Sequence, residues 1–150
     1  LNNKIFKKIL IATDGSSYSA RAIEYSIEIA RMSGSKIFAL YVVDTGAFAN
    51  IPMDMAFGNI YEMLKDEGNK AIRYVEEKGI EEGIEVECFI RDGHPAQEIV
   101  KFSEEILADL IIMGTLGKSG FDRFLLGSVA EKVLRNAKIP VMIIRTEKSK

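Results

Sequence analysis

The chain has 150 residues, 47% of them hydrophobic and 28% charged, with a formal net charge of −2. That length suits one domain, residues 1–150, built round a single core, and the balanced charge excludes a broadly basic nucleic-acid-binding protein. The apolar runs are too short and interrupted to span a membrane. Cys88 is the only cysteine and cannot form an internal disulfide, so a reducing, cytoplasmic location is expected. The opening stretch Leu1–Lys8 is polar and basic and lacks a signal-peptide h-region.

Apolar runs alternate with amphipathic patterns along the chain. Lys8–Thr13 reads as a first strand. Ser17–Ser33 reads as a helix with Ile23, Ile27 and Ala30 on one face, Ser16 or Ser17 as N-cap and Gly34 at its C-terminal end. Lys36–Val43 is a second strand. A long loop, Asp44 to about Gly58, precedes a helix running to about Glu82 with Leu64, Ala71, Ile72 and Val75 inward. Gly68 and Gly79 are expected to weaken that helix slightly.

Glu85–Arg91 alternates Val86, Cys88 and Ile90 with Glu85 and Glu87, as a strand with one wetter face does. Pro95 opens a third helix with Ile99, Phe102 and Ile106 inward. Leu110–Met113 is a fourth strand, Val129–Asn136 a fourth helix and Val141–Arg145 a fifth strand, followed by a polar tail, Thr146–Lys150, expected to fray. Regular alternation of strand and helix predicts right-handed crossovers and a parallel sheet covered on both faces.

In such sheets ligands bind at the carboxyl ends of the strands. That rule selects Asp14, the Val42-Val43-Asp44 end of the second strand, and Gly114. Residues 114–128 are glycine-rich: Gly114 follows a strand, Gly117 comes next, and Gly127-Ser128 opens a helix. Glycines let backbone N–H groups approach a ligand closely, and a helix N-terminus attracts phosphate.

Gly117-Lys118-Ser119 imitates the end of a P-loop, but the required earlier glycine is Ile112, and no G-x-G-x-x-G fingerprint is present. Lys118 and Arg123 rank below the backbone groups as phosphate contacts. Asp14 stands either as a turn residue or as a ligand-facing carboxylate, and Asp44 and Asp122 are weaker candidates. His94, the single histidine, has no partner in sequence that makes a triad and reads as a turn residue. Cys88 reads as a small core residue. The apolar content of the Asp44–Gly58 loop (Phe48, Ile51, Met53, Met55, Phe57) suits folding over the cleft, a dimer partner or a client, or packing on its own domain.

The spacing Gly114-x2-Gly117-x9-Gly127-Ser128 resembles the nucleotide-binding signature of the universal stress protein family, in its ATP-binding branch. Lys8-Ile-Leu-Ile-Ala-Thr-Asp14-Gly-Ser16, Leu40-Tyr-Val42-Val-Asp44, Gly93-His-Pro95 and Lys138-Ile-Pro140-Val-Met-Ile-Ile-Arg145 extend the resemblance over nearly the whole chain. It implies a Rossmann-like, adenine nucleotide alpha hydrolase-like fold. That fold is an open five-stranded parallel sheet of order 3-2-1-4-5 with helices on both faces. It also implies a homodimer through the last strand, Val141–Arg145, and ATP in the cleft.

By the same resemblance Asp14 would bond the ribose or share a Mg²⁺ or Mn²⁺ ion with the phosphates. Val42 would offer backbone groups to adenine. Gly114 and Gly117 would let the chain pass close to ribose and phosphates. Gly127, Ser128 and Val129 would hold phosphate, and Ala12, Thr13 and Met113 complete the contacts. Ala12 and Tyr41 depart from the family, which often carries proline or valine and histidine there. The expected function is an ATP-binding stress-response switch with a protein client as a further partner. A slow ATP hydrolase or phosphoryl or nucleotidyl transferase, and a nucleotide-independent dimeric interaction module, are the competing readings.

Overall fold

A computed structural model describes residues 5–48, 55–115 and 126–145. Gly117, Lys118, Asp122, Arg123 and the Thr146–Lys150 tail lie outside the described residues, as do 49–54 of the long loop. The elements run β1 Lys8–Ala12, α1 Ser17–Ser33, β2 Lys36–Asp44, a 3-10 turn Thr45–Phe48, α2 Met55–Glu81, β3 Val86–Gly93, α3 Pro95–Glu105, β4 Leu110–Gly114, α4 Ser128–Asn136 and β5 Val141–Ile144.

The five strands form one parallel sheet in the order β3-β2-β1-β4-β5. The central strand β1 is apolar on both faces, as a doubly covered parallel strand must be: Ile9, Leu10 and Ile11 are wholly buried. Its alternation divides the core. Ile9 and Ile11 join Ala22, Ile23, Ile27 and Val75 beneath α1 and α2. Leu10 and Ala12 join Ile99, Phe102, Met113 and Val133 beneath α3 and α4. Each fully buried Ile or Leu contributes roughly 1.5–3 kcal/mol of hydrophobic stabilisation. At the opposite end of the sheet, Asp109 Oδ2 accepts the Lys7 and Lys8 N–H groups at 2.8 and 2.9 Å, which fixes β1 beside β4.

Some boundaries differ from the sequence reading. β1 stops at Ala12 rather than Thr13, because Thr13 enters the turn into α1. β2 gains Asp44 and β3 gains Asp92 and Gly93, because the two strands pair in register up to Asp44↔Gly93. The Asp44–Gly58 loop is shorter than expected, since a 3-10 turn fills its start and α2 begins at Met55. Gly34 ends α1 as expected, at φ 67°, a left-handed conformation that glycine adopts without penalty.

Gly68 and Gly79 do more than weaken α2: both are buried and mark close approaches. A Cβ at Gly68 would lie 2.6 Å from Tyr41 Cδ1, and one at Gly79 would collide with Val86 Cγ2 and come within 3.1 Å of the Ile84 carbonyl. The helix rests its backbone on the sheet at these points.

Candidate functional site

The carboxyl ends of β1, β2 and β4 meet at one edge of the sheet, where the order reverses between β1 and its neighbours β2 and β4. β2 overhangs β1 there. The β1–β2 register ends at Ala12↔Leu40, with Thr13 N–H donating to the Leu40 carbonyl at 3.0 Å, whereas β2 continues to Asp44 against β3 alone. Backbone groups alternate sides along a strand. The Val42 N–H and C=O therefore point the same way as those of Leu40, away from β3, above the point where β1 ends.

The turn after β1 is tightly organised. Asp14 Oδ1 accepts the Ser16 N–H at 2.9 Å and the Ser16 hydroxyl at 2.6 Å. Ser16 occupies the N-cap position of α1, but its hydroxyl is turned to Asp14 and makes no cap bond to the helix. Of the two N-cap candidates, Ser16 and Ser17, Ser16 is the one that holds the position. Asp14 Oδ2 has no hydrogen-bond partner among the described residues. The Thr13 side chain faces α1: its Oγ1 lies 2.9 Å from Ser19 Oγ and accepts the Gly15 N–H at 3.2 Å. Only the Thr13 backbone is left to face the strand ends.

On the β4 side, Gly114 pairs in register with Ile144, and the Thr115 N–H donates to the Ile144 carbonyl at 3.1 Å. The Gly127 N–H then donates to the Thr115 carbonyl at 2.7 Å. Gly127 is the N-cap of α4 at φ −61°, ψ 154°, and brings no side chain to cap the helix. The first intrahelical bond is Glu131 N–H to the Gly127 carbonyl, so the N–H groups of Ser128, Val129 and Ala130 precede it. Ser128 is exposed, and the acidic Glu131 lies in the same turn.

Ala12, Val42, Met113 and Val129 fall in one apolar cluster on the α3/α4 face. The structure thus brings together the ends of three strands, an apolar floor and the start of α4. Gly117 lies outside the described residues. Thr115, whose backbone closes the arrangement, was missed by sequence reasoning, because a carbonyl contact carries no side-chain signature. The Asp14–Ser16 pair was legible in principle, since Asp followed two residues later by Ser is a local turn pattern.

The other candidates have structural roles. His94 stands at the N-cap of α3, exposed, with its ring against Gly46, where a Cβ would lie 3.1 Å from Nδ1. Asp44 Oδ1 accepts the Gly46 and Ala47 N–H groups at 3.0 and 3.2 Å. Cys88 donates weakly to the Ile72 carbonyl at 3.5 Å, and burial pushes its thiol up to about 11. A groove of about 770 Å³ lies at the amino ends of the strands, far from this edge, and its Lys36 is paired to Glu85 and Glu87. A smaller cavity of about 320 Å³ lies behind the β1–α1 turn, between Ser17, Ser19, Lys70 and Tyr74.

A family model described as the universal stress protein family matches residues 5–145. The chain belongs to the universal stress protein family. It is 43% identical over 144 residues to universal stress protein MJ0531 of Methanocaldococcus jannaschii, covering 96% of this chain and 85% of that protein. It is 32% identical to universal stress protein YxiE of Bacillus subtilis, covering 94% of this chain and all of that one (100%).

Among solved structures, protein MJ0577, whose biochemical function was assigned from its structure, superposes with a TM-score of 0.85 at 28% identity, over 97% of this chain and 99% of that chain. A universal stress protein in complex with cAMP gives 0.69 at 26% identity, over 95% and 98%. The Archaeoglobus fulgidus universal stress protein in complex with dAMP gives 0.63 at 26% identity, over 93% and 98%. The fold expected for this universal stress protein, with strand order 3-2-1-4-5, is the one found.

Proposed function

We propose that this universal stress protein is a single nucleotide-binding domain that holds ATP at the carboxyl edge of its sheet and acts as a nucleotide-dependent switch read by a protein client. The observation that carries this reading is the convergence of the Asp14 turn, the open backbone edge at Val42 and the glycine-capped start of α4 on one apolar floor. Val42 would offer its N–H and C=O to the adenine edge. Asp14 would meet the ribose. Gly114 would let the chain pass close to the ribose, the sequence assigns Gly117 the same part beside the phosphates, and the N–H groups of Gly127, Ser128 and Val129 with the Ser128 hydroxyl suit phosphate oxygens. Ala12, Thr13 and Met113 complete the walls. The cAMP and dAMP complexes of two family members support an adenine nucleotide as ligand.

Among the described residues no group of three or more His, Cys, Asp or Glu could hold a metal ion by itself. The residues present nevertheless suit a Mg²⁺ or Mn²⁺ ion shared with a nucleotide, because Mg²⁺ commonly takes one or two carboxylates and completes its shell with phosphate oxygens and water. Asp14 Oδ2 is the oxygen that would contribute. A ligand that binds only the folded chain also stabilises it by mass action.

β5, an edge strand whose Val141, Met142 and Ile143 are only half-buried, is the surface through which we propose that two copies pair. No helix among the described residues is long and apolar enough to cross a membrane. The lone cysteine suits a reducing cytoplasm.

Calorimetric titration of the purified chain with ATP and Mg²⁺, together with mass spectrometry of nucleotide released from fresh protein, tests the reading. Saturable binding of one nucleotide per chain is expected. No heat at millimolar ATP and no co-purified nucleotide would overturn it.

A further inference from the structure

Tyr41 sits one residue before Val42 and is almost wholly buried, at 2% exposed. Its ring belongs to a small cluster of its own with Val43 and Ala71, flanked by Ile60 and Leu64 of α2. Two glycines bracket it. On α2, a Cβ at Gly68 would lie 2.6, 2.9 and 3.1 Å from Tyr41 Cδ1, Cε1 and Cγ, so the ring rests on helix backbone. On the β1–α1 turn, a Cβ at Gly15 would lie 4.0 Å from Tyr41 Cε2 and 3.2 Å from the Ala71 Cβ. Gly15 has φ +78°, so the turn adopts at this point a conformation that favours glycine.

The consequence follows from the overhang of β2. Below Leu40, hydrogen bonds to β1 fix how far β2 stands from its neighbour. Above Leu40 there are none, and β2 pairs with β3 alone. What holds the Val42 edge against the Asp14 turn is therefore side-chain packing, and the side chain in that position is Tyr41, packed with Ala71 and reaching toward Gly15, where a Cβ would lie 4.0 Å from its Cε2.

We infer that the Tyr41 ring is a spacer that sets the width of the cleft between the Val42 backbone edge and the Asp14 turn, and so positions the contacts to the base and ribose. This rests on the nucleotide reading above and adds a positioning residue to it. Tyr41 would act without touching the nucleotide. It acts through Val42 on one side and through Gly15 and Asp14 on the other. The phosphate contacts at α4 belong to another element and the opposite face of the sheet, so the spacer bears on the nucleoside end alone.

Titration calorimetry of the full chain with AMP and with ATP tests the inference. Tyr41→Leu keeps an apolar side chain and removes the flat ring. It is expected to weaken both nucleotides by the same factor, about tenfold, leaving the ratio of the two dissociation constants at its wild-type value, with an unchanged circular dichroism spectrum. Tyr41→Phe, which keeps the ring, is expected to retain wild-type affinity to within about twofold. Gly68→Ala presses on the same ring from α2 and is expected to give the same parallel loss, which keeps the inference testable should the leucine variant fail to fold.

Folded variants with wild-type affinity overturn the spacer and leave the nucleotide reading standing. A loss larger for ATP than for AMP marks a general loosening that reaches the phosphate end, and also overturns it. A wild-type chain that binds neither nucleotide overturns the reading on which the inference rests.

Discussion

The Thr115 carbonyl accepts the Gly127 N–H at 2.7 Å, so the chain leaves β4 and enters α4 at the same point. Thr115 is itself tied to the end of β5 through its N–H and the Ile144 carbonyl. The start of α4 is thereby tied to the strand ends through backbone, beside the packing of Val129, Ala130 and Val133 on the sheet. Such a mounting suits the phosphate contacts proposed at α4, because the donors of a helix N-terminus act only if the helix is aimed and fixed.

The first prediction follows from Gly127. Its φ of −61° is open to any residue, so a side chain there costs little conformationally. Gly127→Val is expected to fold with a stability within about 1 kcal/mol of wild type. The same change places a branched side chain where phosphate would meet the helix start, and ATP binding is expected to be lost. Thermal denaturation and calorimetric titration on the same sample separate the two effects. Retained ATP affinity would count against phosphate binding at α4.

Asp14 allows a cleaner separation of turn from ligand. Its Oδ1 carries both bonds to Ser16, and an asparagine carbonyl oxygen can accept the same two donors. Asp14→Asn should therefore leave stability within about 0.5 kcal/mol of wild type. It removes the charge that a Mg²⁺ ion would use, so affinity for ATP with Mg²⁺ should fall about tenfold. The difference from wild type should shrink when Mg²⁺ is chelated. Equal affinities of variant and wild type in the presence of Mg²⁺ would show that Asp14 serves the turn only.

The elements of the fold were legible in the sequence because each strand is short, apolar and bounded, and each helix carries a period that its buried residues confirm: Ile23, Ile27 and Ala30 in α1, Ile99 and Phe102 in α3. Strand ends were less legible, since whether Asp92 and Gly93 extend β3 depends on a pairing with β2 that no local pattern encodes. The candidate cleft was visible through its glycines and Asp14, which are side-chain signals. Its backbone parts were not: the open edge at Val42 arises from β1 stopping short of β2, and the Thr115 bond from where two elements happen to meet. Gly68 and Gly79 were legible only in part for the same reason, because a helical glycine shows its propensity cost in the sequence but not the close approach it permits until the facing residue is known.

Gly79 supplies a stability prediction independent of ligand. Alanine is favoured over glycine inside a helix by about 1 kcal/mol. The added Cβ would collide with Val86 Cγ2, and the Ile84 carbonyl, 3.1 Å away, cannot retreat easily because the Ile84 N–H is bonded to the Gly79 carbonyl at 2.8 Å. Overpacking of this kind costs typically about 1–3 kcal/mol. Gly79→Ala should thus be destabilised, and the penalty should be smaller in a Val86→Ala background, where the colliding methyl is gone. Denaturant unfolding of the two single variants and the double variant measures that coupling. Additive effects would place the strain elsewhere.

Cys88 gives a prediction in pH. Burial, and then the charge of Glu76, push its thiol from 9.0 to about 11 in the folded chain. The folded state therefore keeps a proton that the unfolded state releases over that interval. The contribution is fully present below pH 9 and is lost as the pH rises toward 11, so stability should decline across that window. The same shift makes the native thiol a poor nucleophile, since the thiolate is the reactive form. Alkylation of the native protein at pH 8.5 should be much slower than that of the denatured chain, and thiolate absorbance should rise in the native protein near pH 11 rather than near 9. A native titration midpoint near 9 would mean that water reaches the β3 edge beside Cys88 more freely than its packing against Ile72 implies.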